Sequence, residues 1–280
     1  MSEHDERQHI LERPPGLAKE FDRVGGGYDA RPGYPDWVFE QLAVLCALGA
    51  GTNVLEIGAG TGQATLPMLD RGARVTAVEP GPALAGRLVE RCRGRAVEVV
   101  VSAFEEVEVP DAGFDLVAAA TSFHWVDTSI GLSKCARALH DEGWLALWWT
   151  IWGDPARPDP FHEALQPILR AKAPHLLQEG AGPLAHALDL DARTAEIEHV
   201  GAFGAVERLL LPWVGRHEPR ALRRMFATFS PWIALPEPLR TELLDDVERL
   251  AADDFGGTVV RPYRTQLYLA QRLPRSSPGG

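Results

Sequence analysis

Asn53-Val-Leu-Glu56-Ile-Gly58-Ala-Gly60-Thr-Gly62 decides how the rest of this chain is read. A short apolar run, Val54, Leu55 and Ile57, passes directly into three closely spaced glycines, and a helical pattern (Ala64, Leu66, Met68, Leu69) follows at once. That order is a buried strand, a tight turn and a helix. Glycine lets a ligand approach the backbone with no Cβ in the way, and the first turn of the helix offers N–H groups that have no partner within it. The turn is therefore expected to hold a nucleotide-like ligand. A tight strand-to-helix turn also needs glycine for purely structural reasons, so the motif requires support from its surroundings.

Outward from it, the same alternation recurs. Upstream, a helix is expected from Asp36, read as its N-cap, through Val38, Leu42 and Leu45 until Gly49 and Gly51 stop the pattern. Downstream, strands are expected at 74–79, 97–102, 114–121 and 144–150, with helices at 82–92 and 128–140. Short apolar strands separated by helices are the pattern of βαβ units around a parallel sheet covered on both faces. Beyond Trp152 the rhythm changes. A Pro-rich stretch at 154–160 leads to a helical pattern (Phe161, Leu165, Ile168, Leu169) and a looser stretch ending near Gly201. A strand at 206–214, helices at 219–229 and 238–252, and a last strand at 258–269 complete the reading. The expected fold is α/β: a doubly wound, mostly parallel, seven-stranded Rossmann-like sheet with helical insertions after strands 5 and 6. Segments 1–20 and 273–280 read as flexible ends, 21–152 as the ligand-binding core, and 153–272 as the C-terminal part of the same domain.

Composition narrows the function. With 28 Lys+Arg against 39 Asp+Glu the formal charge is −11, which disfavours a protein that tracks nucleic-acid phosphates. The longest apolar runs, 42–50 and 145–152, fall short of the ~20 residues that cross a bilayer, and the N-terminus lacks the basic and apolar regions of a secretory signal. No membrane partner and a cytoplasmic location are expected. Cys46, Cys92 and Cys135 are far apart in sequence and fit neither a disulfide framework nor a zinc site, and the nine histidines form no metal motif.

Three features sharpen the ligand. The dinucleotide fingerprint wants its third glycine where Gln63 stands. Glu56 precedes the glycines, where its charge would repel a pyrophosphate and attract an amino group. Glu79 ends the second strand, 19 residues after Gly60, where a carboxylate accepts both hydroxyls of a ribose. The ligand so described has a ribose and a cationic amino-acid end.

On these residues the chain resembles the class I S-adenosylmethionine (AdoMet)-dependent methyltransferases, in particular the bacterial small-molecule branch known as the type 11 domain. The resemblance rests on Glu56 to Gly62, on 75–80 with Glu79, on Ser102-Ala103-Phe104-Glu105, and on Phe114-Asp-Leu-Val117 followed by Ser122-Phe-His124-Trp125. It covers 21–150 well and the rest in outline. It implies AdoMet as cofactor, with Gly58, Ala59 and Gly60 along its methionine portion, Glu56 near its amino group and Glu79 on its ribose. Pro80 would lie beside the adenine, Ala103 and Phe104 on the other adenine face, and Ser102 or Glu105 near its amino group, with Ser122 also on the cofactor side. Tyr28 and Arg31, from the segment Tyr28-Asp-Ala-Arg31-Pro32, would meet the cofactor's carboxylate.

Methyl transfer from a sulfonium is an in-line displacement, so alignment and exclusion of water matter most, and a base is needed only if the acceptor arrives protonated. His124, at the expected mouth of the sheet, is the candidate general base, with packing against Trp125 as its alternative role. Eight tryptophans are present. Trp125, Trp149 and Trp152 are expected to line an apolar or aromatic acceptor pocket, with Trp213 and Trp232 closing it as part of a helical lid. The expected activity is methyl transfer to a small, apolar or aromatic molecule. An NAD(P)-dependent oxidoreductase and a non-methylating AdoMet-binding protein remain the alternatives. Acceptor identity and oligomeric state are not legible.

Overall fold

The computed structural model describes residues 31–177 and 189–275. Tyr28, the N-terminal segment 1–20 and the tail beyond 275 lie outside the described residues.

Seven strands form one sheet: β1 (Asn53–Ile57), β2 (Arg74–Val78), β3 (Val97–Val100), β4 (Phe114–Ala120), β5 (Leu139–Trp152), β6 (Glu207–His217) and β7 (Val259–Gln271). Their spatial order is β3-β2-β1-β4-β5-β7-β6. β1 to β5 pair in parallel, whereas β7 runs antiparallel between β5 and β6. The expected sheet is thus the one observed, and its two late strands extend it on the β5 side. The chain leaves β1 towards β2 and β3 on one side and returns to β4 on the other, so a crevice opens at the carboxyl ends of β1 and β4.

Helices cover both faces, as the near-continuous burial of β1 and β4 requires. On one face α1 (Asp36–Leu45), α2 (Thr65–Asp70) and α3 (Pro82–Arg91) set Val38, Phe39, Leu42, Met68 and Leu88 against Val54, Leu116 and Trp148. On the other face α4 (Thr128–Ala138) and α6 (Leu190–His199) set Leu132, Cys135 and Ile197 against Leu55, Val117, Leu145 and Trp149. A third apolar cluster joins α5 (Pro160–Lys172), α7 (Pro219–Phe226), the short α8 (Ser230–Ile233) and α9 (Glu237–Asp253), with Phe161, Leu222, Phe226, Trp232 and Val247 at its centre. These are the helical insertions expected after strands 5 and 6.

Several boundaries differ from the sequence reading for local reasons. Asp36 is not the N-cap of α1. Pro35 holds that position without a side-chain cap, and Asp36 lies in the first turn, where a carboxylate favours the helix dipole. The helix expected at 128–140 ends at Ala138, because Leu139 pairs with Phe114 and begins the 14-residue β5. α7 stops at Phe226 rather than 229. The Thr228 hydroxyl donates to the Met225 carbonyl at 2.6 Å, and Pro231 then starts a separate turn of helix. α6 falls inside the stretch read as loose. Its sequence signal is Asp189, whose carboxylate accepts from the Ala192 N–H at 3.0 Å as an N-cap.

Candidate functional site

The glycine turn after β1 is held open by its neighbours. Gly58 has φ of +67°, and a Cβ placed there would lie 2.5 Å from the Ser122 Cβ. Ser122 is fixed in that place because its hydroxyl donates to the Ile57 carbonyl at 2.5 Å. Only glycine fits both the backbone angle and the approach. The Gly58 and Ala59 N–H groups donate to the Val78 carbonyl at 2.8 and 3.2 Å. Glu79, 5% exposed, continues the clamp: one carboxylate oxygen accepts from Gly60 N–H and the other from Gly81 N–H, both at 2.8 Å. The carboxylate at the end of β2 therefore ties together the two loops that face the crevice.

Glu56 is 1% exposed and accepts from the Thr65 hydroxyl at 2.6 Å. Burial raises its carboxyl to about 8. The Thr65 hydrogen bond opposes that rise, and the nearby Glu79 charge adds to it. At neutral pH Glu56 is thus mostly protonated until a cation is brought beside it.

A cleft opens above these groups. Glu56, Gly58, Ala59, Gly60, Gln63 and Ala64 line it on the β1 side. Arg31, Pro32, Tyr34, Ala120, Thr121, Thr150 and Trp152 line it on the β4 and β5 side. The Arg31 guanidinium donates to the hydroxyl and carbonyl of Thr228 at 2.9 and 2.8 Å, so it pins the segment before α1 to the helical insertion. Trp152 packs against Phe229 and Tyr263, each with ring centroids 5.1 Å apart. Thr121 has φ of +56°, an outlier for a β-branched residue that costs ~1–3 kcal/mol and persists only where the surroundings impose it.

Other expected site residues are placed elsewhere. His124 is not among the cleft-lining residues. Its Nδ1 accepts from the Trp149 indole N–H at 3.1 Å, which puts the ring proton of the neutral form on Nε2 and removes Nδ1 as a proton acceptor. This contact favours the alternative role, and His124 also packs on Trp125 with ring centroids 4.8 Å apart. Trp149 is 1% exposed and belongs to the core beside Tyr268, with ring centroids 5.9 Å apart. It lies on the α4 side of β5, so the expectation that it lines the acceptor pocket does not hold. Trp125 is likewise absent from the cleft lining. Trp213 donates its indole N–H to the Thr265 hydroxyl at 3.0 Å. Trp232 is packed against Phe226 inside the third cluster at 4.9 Å. Of the five expected aromatics, Trp152 alone is among the residues lining the cleft.

The segment after β3 lies beside the β2 end, since Glu79 N–H donates to the Val100 carbonyl at 3.0 Å. Pro80 is exposed there and Phe104 is buried. Ser102 spends its hydroxyl on the Ala103 carbonyl at 3.0 Å, and Glu105 accepts from Asp127 N–H at 2.9 Å. Lys134, which the sequence reading did not single out, holds this segment. Its ammonium donates to the carbonyls of Phe104, at 2.6 Å, and of Glu105 and Val107. The reading also missed Tyr34, Thr121 and Thr150. Tyr34 stands between Pro32 and Pro35, a hint of a fixed backbone, but no spacing marks the two threonines as cleft residues.

Residues 55–147 match a family described as methyltransferase domain. An uncharacterized methyltransferase of Mycobacterium tuberculosis is 28% identical over 237 residues, which cover 84% of this chain and 87% of the relative. A malonyl-[acyl-carrier protein] O-methyltransferase of Geobacter sulfurreducens is 32% identical over 141 residues, 48% of this chain and 52% of the relative. Among solved structures, a provisionally named type II methyltransferase from Anaeromyxobacter dehalogenans superposes with a TM-score of 0.62 at 21% identity, covering 88% of this chain and 99% of the other. Phosphoethanolamine N-methyltransferase 2 of Haemonchus contortus, in complex with S-adenosyl-L-methionine, gives 0.53 at 17% identity, with coverage of 95% and 60%.

Proposed function

For this chain, a member of the class I AdoMet-dependent methyltransferases, we propose that AdoMet binds in the cleft above Gly58 and that the acceptor is a small molecule with an apolar or aromatic body. The observation that carries the reading is the cleft itself. One wall is the Gly58–Gly60 turn with Glu56, and the facing wall is Tyr34, Thr121, Thr150 and Trp152. Bound AdoMet supplies an electrophilic methyl carbon on a sulfonium.

The residues present fit that group. Gly58 and Gly60 line the cleft with backbone and no side chain where the methionine portion would lie. Glu56 ionises when an ammonium is placed beside it, because the opposite charge offsets its burial. Glu79, which holds Gly60 and Gly81, stands at the end of β2 where a carboxylate accepts ribose hydroxyls. Pro80 and the segment 102–105, braced by Lys134, flank the adenine. Arg31 and Tyr28 are assigned to the cofactor's carboxylate, Tyr28 from sequence alone. Trp152, packed on Phe229 and Tyr263, gives the other end of the cleft an aromatic face. Among the described residues, none of the helices is long and apolar enough to cross a membrane, and no cluster of His, Cys, Asp and Glu is placed to hold a metal.

The test is methyl transfer. Purified chain incubated with methyl-labelled AdoMet and a panel of low-mass acceptors should yield labelled organic product and S-adenosylhomocysteine in equal amounts. Cofactor binding without transfer to any acceptor class would favour the non-methylating reading.

A further inference from the structure

Thr228 meets the Arg31 guanidinium with two oxygens, which the end of α7 does not require. The residue is fully buried and stands two positions after α7 stops. Its N–H and its hydroxyl both donate to the Met225 carbonyl, at 3.0 and 2.6 Å, which turns the chain out of the helix and satisfies the buried hydroxyl as a donor. Its Oγ1 nevertheless accepts from Arg31 Nε at 2.9 Å, and its carbonyl accepts from Arg31 Nη2 at 2.8 Å. The guanidinium also lies over the next ring, Phe229, 5.8 Å from its centroid. A planar group gripped through two of its five N–H donors and set over a ring has its plane and direction fixed.

Arg31 stands on a segment, 31–35, that forms no helix or strand, so this grip from 197 residues further along the chain is what orients it against the rest of the fold. Arg31 and Glu56 both line the cleft. Their charges are opposite, as are the two charges of an α-amino acid. Glu56 suits the ammonium and Arg31 the carboxylate. An arginine has many rotamers, and one that is held in place before its ligand arrives loses less freedom on binding.

We propose that Thr228 is a positioning residue for the cofactor: its hydroxyl and carbonyl aim the Arg31 guanidinium at the carboxylate of the AdoMet amino-acid end. The assignment rests on the AdoMet reading of the cleft, with Arg31 as the partner of that carboxylate. The residue after it, Phe229, packs on Trp152 with ring centroids 5.1 Å apart. One short segment of the helical insertion thus touches a cofactor residue and an acceptor residue together.

The experiment compares two ligands on each protein by calorimetry: S-adenosylhomocysteine, and 5′-methylthioadenosine, which keeps the adenine and ribose but lacks the amino-acid end. Both are titrated into the same preparation, so a general weakening of the fold moves them together and leaves their affinity ratio alone. The native chain should prefer S-adenosylhomocysteine by about tenfold or more. Thr228→Val keeps the volume and the carbonyl but removes the hydroxyl. It should lower that ratio about fivefold, with 5′-methylthioadenosine bound within about twofold of native. Thr228→Ser should retain the native ratio. Arg31→Lys keeps the charge without the planar fork and should lower the ratio as Thr228→Val does; Arg31 is only half-buried, so this variant carries the test if Thr228→Val does not fold. Thr228→Val added to Arg31→Ala should cost nothing beyond Arg31→Ala alone, because the hydroxyl acts through the guanidinium. An unchanged ratio in Thr228→Val or in Arg31→Lys, or an equal loss of both ligands in Thr228→Val, would overturn the assignment. A native chain that binds the two ligands equally well would also overturn it while leaving the adenine and ribose site standing. If neither ligand binds the native chain, the cofactor reading itself is wrong, and the role of Thr228 falls with it.

Discussion

The two halves of the cleft are built by different means. On the β1 side, backbone does the work. The Gly58 approach to Ser122 and the Glu79 clamp on Gly60 and Gly81 are fixed by hydrogen bonds between residues close to strand ends. On the β4 and β5 side the lining comes from distant segments. Tyr34 reaches Ala120 across 86 residues of chain and Arg31 reaches Thr228 across 197. A backbone cradle restricts residue type at set spacings. A wall of side chains restricts only volume and polarity. The first half should therefore be brittle towards substitution and the second adaptable.

The largest effect is expected where the cradle is tightest. Gly58→Val forces a Cβ to within 2.5 Å of Ser122 at a φ of +67°, and should weaken S-adenosylhomocysteine binding by about a hundredfold or more in calorimetry. Glu79→Ala comes next. It removes the acceptor for two loop amides as well as the ribose contact, and affinity should fall by about one to two decades. Retained affinity in either variant would mean that the ligand lies elsewhere in the cleft.

How much of this was legible follows the same division. Glu56, the three glycines and Glu79 are close in sequence because a strand, a turn and a helix are contiguous, so their roles can be read from spacing. Trp149 and Trp152 could not be told apart in that way. Both sit near the end of β5, yet alternation sends Trp149 into the α4-side core and leaves Trp152 at the cleft. His124 looked available because its partner, the Trp149 indole, lies 25 residues away on β5. Asp36 looked like a cap because the reading could not see that Pro35 already held that position. Lys134 carried no motif, although it is one of three lysines in the chain and its three carbonyl partners brace the segment after β3.

A smaller, pH-dependent effect separates the halves again. In the free fold burial holds the Glu56 carboxyl at about 8, against an ordinary value of 4.5. The folded chain then binds the extra proton in that interval, so this group's contribution to stability declines as pH rises through about 8. Binding a ligand ammonium beside Glu56 should expel the proton. S-adenosylhomocysteine affinity should increase from pH 6 towards about 8, with proton release measurable by calorimetry in buffers of different ionisation heat. Glu56→Gln should abolish the release.

The smallest change in turnover is expected at His124. Replacement by alanine removes the acceptor of the Trp149 indole N–H and should lower stability by about 1–2 kcal/mol in thermal unfolding. The rate should stay within about threefold, because the residue is outside the cleft lining. A loss of tenfold or more with stability unchanged would restore His124 to the reaction.

The central claim, a cofactor cradle built for AdoMet rather than a dinucleotide, is tested most directly by calorimetric titration of S-adenosylhomocysteine in the absence and presence of saturating NAD. The account predicts one site per chain whose affinity NAD does not alter. Competition by NAD, or NAD binding where S-adenosylhomocysteine fails to bind, would contradict it.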